Sequence, residues 1–540
     1  MPGADEGVHV PQLAYAKGDT AVPLLDETIG QNLEDMVARH ADRDALISVH
    51  QGIRQTYSEF DETVDRLAAG LLTLGLEAGD RVGIWSPNCA EWVWVQYATA
   101  KIGAVLVNIN PAYRTHELSY ALAQSGCRML ISAETYLTSD YREMVDEVRA
   151  DLPDLERTIY LGTTEWADLL AAGEAAGHEP LRVRAASLRP TDAINIQYTS
   201  GTTGFPKGAT LSHRNILNNA FFVGESCGYT QVDRVCIPVP FYHCFGMVLG
   251  NLACTTHGAA IVVPGPGFDP EQVLTAVEQE SCTSLYGVPT MFIAELGHPD
   301  LEKYDLSTLR TGIMAGSPCP VEVMKRVIGE MNMDEVTIAY GMTETAPVST
   351  QTGTQDAIEH RVSTVGRVHP HVEIKIVDPD TGDTVDTGVD GELCTRGYSV
   401  MIGYWNDDER TAEAIDADGW MHTGDLARMA DDGYVNIVGR IKDMIIRGGE
   451  NIYPREIEEF LYGHPEIEDV QVIGVPDEKY GEQVMAWVKL RDGGTASEDD
   501  VVEFCKGKIA HFKVPRYVKF VEDFPMTVTG KIRKVEMRAV

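Results

Sequence analysis

Residues Tyr198 to Gly208 read YTSGTTGFPKG and follow directly on an apolar, strand-like run from Ile194 to Tyr198. Gly201, Gly204 and Gly208 can take backbone angles closed to other residues, so N–H groups there can converge on one point. Ser200, Thr202 and Thr203 add hydroxyl donors, and Lys207 adds one mobile positive charge. Such a loop is a cradle for phosphate oxygens. It is not a Walker A loop, because Pro206 precedes the lysine and Gly208 follows it where that motif requires Gly-Lys-Ser/Thr.

Working outward, 540 residues exceed what a single core accommodates, so two or more domains are expected. No apolar run reaches the roughly 18 residues of a membrane span, and the first residues, MPGADEGVHVPQLAY, lack the basic and apolar regions of a signal peptide. The ten cysteines are scattered without a CxxC pair, so neither a zinc site nor a disulfide framework is expected, and a reduced cytoplasm is the expected setting. A net charge of −38 argues against nucleic acid as a partner. It suggests salt adaptation, since molar salt shortens the Debye length to about 3 Å; equal melting in dilute buffer and molar KCl would discard that expectation. Residues 503–540 run the other way, with nine Lys/Arg against four acids, and read as a surface that meets polyanions.

The early part of the chain alternates helical and strand patterns. Tyr57 to Leu74 carries Val64, Leu67, Leu71 and Leu74 at helical spacing; Arg81–Trp85, Ala104–Ile109 and Met129–Ser132 read as buried strands, with helices at Glu91–Ile102 and Glu117–Gln124. This predicts parallel sheets covered by helices. Ala171–Pro190 reads as a surface connection, Ser212 to about Val336 as a second α/β stretch, and the segments Glu373–Val377, Gly391–Thr395 and Val435–Val438 as strands of a β-rich portion. The last hundred residues read as a compact α+β unit beyond a charged turn, Gly439–Asp443.

Three further stretches carry groups suited to nucleotide chemistry. Tyr340-Gly341-Met342-Thr343-Glu344 offers an aromatic face, a hydroxyl and a carboxylate able to hold Mg²⁺. Trp420-Met421-His422-Thr423-Gly424-Asp425 offers a carboxylate in a predicted tight turn, and Pro525–Lys531 places a lysine in the basic C-terminal stretch. Together with the phosphate loop and Gly439-Arg440-Ile441-Lys442-Asp443, these strings resemble those of the adenylate-forming (AMP-binding) superfamily, in family order from about Asn32 to Lys534.

The resemblance implies an α/β fold: a large N-terminal domain of doubly wound α/β subdomains plus a β-rich portion (1–438), a hinge (439–443) centred on Lys442, and a small mobile α+β C-terminal domain (444–540). It implies that Thr199, Ser200, Gly201, Thr202, Thr203, Gly204 and Lys207 hold ATP phosphates. Gly316, Ser317, Pro318, Tyr340 and Gly341 would lie along the adenine, Asp425 and Arg440 would hold the ribose, Thr343 would reach the α-phosphate and Glu344 would carry Mg²⁺. Lys531 would be the catalytic lysine bridging carboxylate and α-phosphate. After a swing of the C-terminal domain, Gly448 and Gly449 would line a channel for the pantetheine arm of coenzyme A.

Pro240–Met247, reading PFYHCFGM, resembles the family's acyl-site segment. His243 stands there among apolar residues with no acid nearby, which suits an uncharged acyl tail and implies that His243 abuts the substrate carboxylate. Acetate-specific relatives carry Trp at the position of Gly341, so an open pocket floor is expected, with Met247 as a flexible gate. Ile313–Pro320 looks most like medium-chain fatty acyl-CoA synthetases. An aryl-acid-CoA ligase, an acyl-AMP ligase loading a carrier protein and a non-catalytic relative stay open as alternatives. A homo-oligomer is compatible with the sequence, which does not fix the oligomeric state.

Overall fold

The computed structural model describes residues 12–199, 206–447, 450–477, 479–527 and 531–538. Among them, four sheets larger than a hairpin organise the chain. The first has seven strands in the order Gly403–Tyr404, Lys207–Ser212, Ala193–Thr199, Val105–Asn108, Arg81–Trp85, Met129–Ser132 and Arg157–Tyr160. Its last five are mutually parallel. The central strands are buried along nearly their whole length, as expected for parallel sheets covered on both faces.

The helix Tyr57–Thr73 shows why these segments fold as they do. Thr56 accepts from Glu59 N at its start while the Glu59 carboxylate returns to Thr56 N, a capping box. Phe60, Val64, Leu67 and Leu71 then fall on one buried face.

The second sheet has nine strands, and Ser212–Val336 does not build it alone. It also takes in the hairpin Asp44–Ser48 and Ile53–Thr56, because Asp44–Ser48 lies parallel to Ala260–Val263. Ala171–Pro190 is likewise not a bare connection. It spans the end of a helix at Thr164–Ala176 and a second helix at Glu179–Ala185. Its Gly173 serves packing against the helix Tyr57–Thr73: a Cβ there would lie 1.8 Å from the Arg66 carbonyl, and one at Gly70 of that facing helix would lie 2.4 Å from the Leu169 carbonyl.

The third, antiparallel sheet runs Tyr15–Lys17, Val372–Val377, Asp390–Gly397, Met421–Met429 and Val435–Arg440. The fourth begins at Ile445, after the short helical turn Ile441–Asp443. It joins Glu450–Ile452, Ile445–Arg447, Gly481–Leu490 and Ile467–Asp477, with Tyr517–Phe520 added parallel to Gly481–Leu490. The helix Pro454–Tyr462 carries Arg455, whose Nη1 donates to the Ile437 carbonyl at 2.9 Å, tying the fourth sheet's unit to the third sheet.

The basic C-terminal stretch is less of a polyanion surface than its composition suggests. Lys506 pairs with Glu503, Lys513 with Glu456, Lys534 with Glu458, Arg533 with Glu536 and Arg538 with Asp443. Acids from nearby elements neutralise most of the local excess. All ten cysteines are free and buried. Among the described residues no helix is long and apolar enough to cross a membrane.

Candidate active site

The strands Ala193–Thr199 and Lys207–Ser212, which flank the glycine-rich stretch in sequence, pair antiparallel with Thr199 opposite Lys207. Ser200, Gly201, Thr202, Thr203 and Gly204 lie outside the described residues, as do Gly448 and Gly449. At the loop's base, the Lys207 ammonium sits 4.8 Å over the Tyr404 ring. The Tyr404 hydroxyl donates to Glu344 Oε1 at 2.8 Å, and Thr199 Oγ1 approaches the same oxygen at 3.5 Å. Glu344 is 6% exposed, and among the described residues no Lys or Arg pairs with it. A buried carboxylate wrapped by hydroxyls and lacking a cationic partner fits a bound divalent ion. Tyr404 gave no signal in the sequence; it reaches the site only because Gly403–Tyr404 pairs with the hairpin's outer edge.

Tyr340 is the next-to-last residue of the strand Glu335–Gly341 of the second sheet and donates its hydroxyl to Asp425 Oδ2 at 2.7 Å. Burial raises the Tyr340 hydroxyl's pKa well above its usual value, so it donates rather than ionises. Arg440 Nε donates to the other Asp425 oxygen at 3.0 Å, and that carboxylate holds the guanidinium charged. Asp425 does not sit in an isolated turn. It belongs to the strand Met421–Met429, whose pairing with Asp390–Gly397 shifts register between Glu392 and Cys394. Gly424, at φ +69°, makes the kink that a bulge requires. Glu392, which the sequence reading missed, accepts from Gly424 N at 2.9 Å and pins the bulge.

Lys531 comes from the C-terminal unit and enters this cleft. Thr527 N donates to the Lys531 carbonyl at 2.7 Å and Lys531 N donates to Thr527 Oγ1 at 3.1 Å, which fixes the Lys531 backbone against Thr527. The lysine shares a small apolar cavity with Val239, Pro240, His243, Phe245, Val288 and Gly316. A Cβ built on Gly316, whose φ is +91°, would lie 3.9 Å from Lys531 Cε. Burial lowers the Lys531 ammonium's pKa from the ordinary lysine value, while Glu344 and Asp425 oppose that shift. His243 is pushed down to about 3 by burial and by the Lys531 charge, so it is neutral, and its Nδ1 accepts from Phe245 N at 3.1 Å. Thr343 is buried, with its hydroxyl 3.8 Å from Cys244 Sγ. Ser317 and Pro318 follow Gly316 at the cleft, just beyond the strand Thr311–Ala315. Lys442 lies in the turn between the third and fourth sheets.

Two acyl-site expectations change. A Cβ at Gly341 would fall 1.7 Å from the Pro347 carbonyl, so close backbone approach already accounts for this glycine without a pocket floor. Met247 is not a loose gate: it is 1% exposed, and its sulfur accepts from Asn108 Nδ2 and Gln197 Nε2, each at 3.1 Å.

The model of AMP-binding enzymes matches residues 33–405, and that of the AMP-binding enzyme C-terminal domain matches residues 456–531. The chain belongs to the AMP-binding enzyme family. A protein of Bacillus subtilis (strain 168), YngI, that carries the name acyl-CoA synthetase is 52% identical over 534 residues, covering 95% of this chain and 97% of that one. The mitochondrial medium-chain acyl-CoA ligase ACSF2 of Danio rerio is 46% identical over 556 residues, covering 99% and 92%. Among solved structures, the anthranilate CoA ligase AuaEII in complex with anthranoyl-AMP superposes with a TM-score of 0.87 at 26% identity, covering 96% of this chain and 98% of that one.

Proposed function

We propose that this chain is an AMP-forming acyl-CoA synthetase acting on an aliphatic carboxylate of medium to long chain with an uncharged tail. The observation that carries this reading is the Lys531 ammonium seated in the apolar cavity beside His243 and Gly316, in the same cleft as Glu344 and Asp425.

In the first step a carboxylate oxygen attacks the α-phosphorus of ATP, the bond to the pyrophosphate oxygen breaks, and acyl-AMP forms. Lys531 offsets the repulsion between the two anions and supports charge on the α-phosphoryl oxygens. Tyr340, Asp425 and Arg440 hold the nucleoside, and Lys207 and the glycine-rich loop hold the phosphates. Glu344 would hold Mg²⁺, which supplies charge neutralisation on the phosphate oxygens when bound. His243, neutral and half-buried, lines the carboxylate end without adding charge.

In the second step the sulfur of coenzyme A attacks the acyl carbon, the acyl–phosphate bond breaks, AMP leaves and the thiol proton goes to solvent. Lys531 occupies the approach to that carbon, so the C-terminal unit must withdraw first. We place domains at 1–438 and 444–540 with the hinge at 439–443, Lys442 being the pivot and Gly448–Gly449 reaching the coenzyme.

One observation favours a second reading, an aryl acid. The Phe245 ring lines the apolar cavity and is backed by the buried Tyr286 ring, with centroids 5.6 Å apart, which offers an aromatic face to the site. Pyrophosphate release over acids from acetate to palmitate and over benzoates, with and without coenzyme A and at low and high KCl, separates the two. Release without any coenzyme A requirement for turnover would point to acyl-AMP delivery elsewhere. No release with any acid would end the proposal.

A further inference from the structure

In the antiparallel sheet that carries Asp425, three side chains unused by the adenylation chemistry bring a carboxylate, a thiol and an imidazole together. Glu392 and Cys394 stand two residues apart on the strand Asp390–Gly397, and His422 is paired with Cys394 across the sheet. His422 Nδ1 lies 2.8 Å from Glu392 Oε2 and 3.5 Å from Cys394 Sγ, and all three ligand atoms lie within 4.8 Å of one another.

We propose that Glu392, Cys394 and His422 form a site for a borderline-soft divalent cation of the Zn²⁺ class, separate from the Glu344 site. The donor set is one that Zn²⁺ accepts and Mg²⁺ does not. Tetrahedral ligands at about 2.3 Å (sulfur) and about 2.0 Å (nitrogen) are roughly 3.5 Å apart, and the Nδ1 to Sγ separation is 3.5 Å. The imidazole–carboxylate pair would have to open by about half an ångström to reach the equivalent geometry.

The surroundings support each ligand in turn. Glu392 gives its other oxygen to Gly424 N, which fixes the carboxylate and leaves Oε2 for the ion. The other ring nitrogen of His422, Nε2, faces Asp416 Oδ2 at 3.8 Å, an outer carboxylate of the kind that selects the tautomer of a ligating histidine. Lys375 stands opposite Cys394 on the next strand, but its ammonium sits 4.5 Å over the Trp420 ring. Cys394 is fully buried while the His422 side chain is 34% exposed, so an ion enters past the imidazole. Three protein ligands leave a fourth position for water. On binding, the Cys394 thiol proton goes to solvent and the imidazole ligates through Nδ1 with its ring proton on Nε2.

The test is a titration of the full-length protein, stripped with a chelator and kept in excess Mg²⁺, first with Co²⁺ and then with Zn²⁺. The expected result is one equivalent of Co²⁺ with a sulfur-to-cobalt charge-transfer band, removed by one equivalent of Zn²⁺. Cys394→Ser should abolish the band. It and His422→Ala should each weaken Zn²⁺ binding by about 10²-fold or more, and Asp416→Asn by roughly tenfold. The proposal is overturned if the wild-type chain takes up no stoichiometric ion, or if Cys394→Ser binds Zn²⁺ with unchanged affinity. Should Cys394→Ser fail to fold, the half-exposed His422→Ala decides by the same criterion.

Discussion

The proposed ribose shelf around Asp425 and the proposed catalytic lysine, Lys531, sit in one cleft but are built in opposite ways. Asp425 is held from every side: Tyr340 and Arg440 occupy its two oxygens, Thr423 accepts its N–H, and Glu392 pins the bulge before it. Lys531 is held at its backbone by Thr527 and enters an apolar cavity that disfavours its charge. A fixed, satisfied shelf suits binding the same nucleotide throughout a reaction. A group that is costly to bury suits one that works in a single step and then leaves.

Substitutions in the fixed part should sort by what they touch. Glu344→Gln should give the largest effect, lowering pyrophosphate release by about 10²-fold to 10³-fold, the usual cost of losing a charge-stabilising group at a reacting phosphate. A loss below tenfold would remove Glu344 from the chemistry. Asp425→Asn should act on ATP instead, raising its KM roughly tenfold or more while kcat changes less, because a charged hydrogen-bond acceptor is lost equally from ground and transition states. A kcat-only loss would dissolve the contrast between shelf and lysine.

The pH profile sharpens the same contrast. Burial lowers the Lys531 pKa below its usual 10.5, so kcat/KM for adenylation should fall as pH rises through that lowered value. Neutral His243, down near 3, should contribute no limb between pH 5 and 8. Rates of pyrophosphate release from pH 6 to 10 check both points.

Stability of the larger part should respond to acid. His213 and His369 are fully buried and pushed down to about 3, whereas an unfolded histidine takes its proton near 6.5. Below pH 6.5 the unfolded state therefore binds more protons, and stability falls by up to about 1.4 kcal/mol per pH unit for each histidine. Melting measured from pH 7 to 4 should decline, and His369→Gln should flatten the decline.

Much of this was legible in the sequence where chemistry and local pattern coincide. The run Ile194–Tyr198 marked the strand that leads into the glycine-rich stretch, and Tyr340 and Glu344 lie where a strand-end string put them. What escaped was fixed by long-range packing. Tyr404 and Glu392 reach, by side-chain hydrogen bonds, partners 60 and 32 residues away along the chain that strand pairing brings near. The Ala/Gly-rich run near residue 173 read as a connection because Gly173 answers to another helix's backbone. The amide clamp on Met247 comes from Asn108 and Gln197, on adjacent strands that no local window joins.

The most direct measurement assays Lys531→Ala in two half-reactions: pyrophosphate release from ATP and acid, and thioester formation from synthetic acyl-AMP and coenzyme A. A lysine that serves one step and withdraws predicts a loss of about 10²-fold or more in the first and a second step near wild type. Equal losses in both would contradict it.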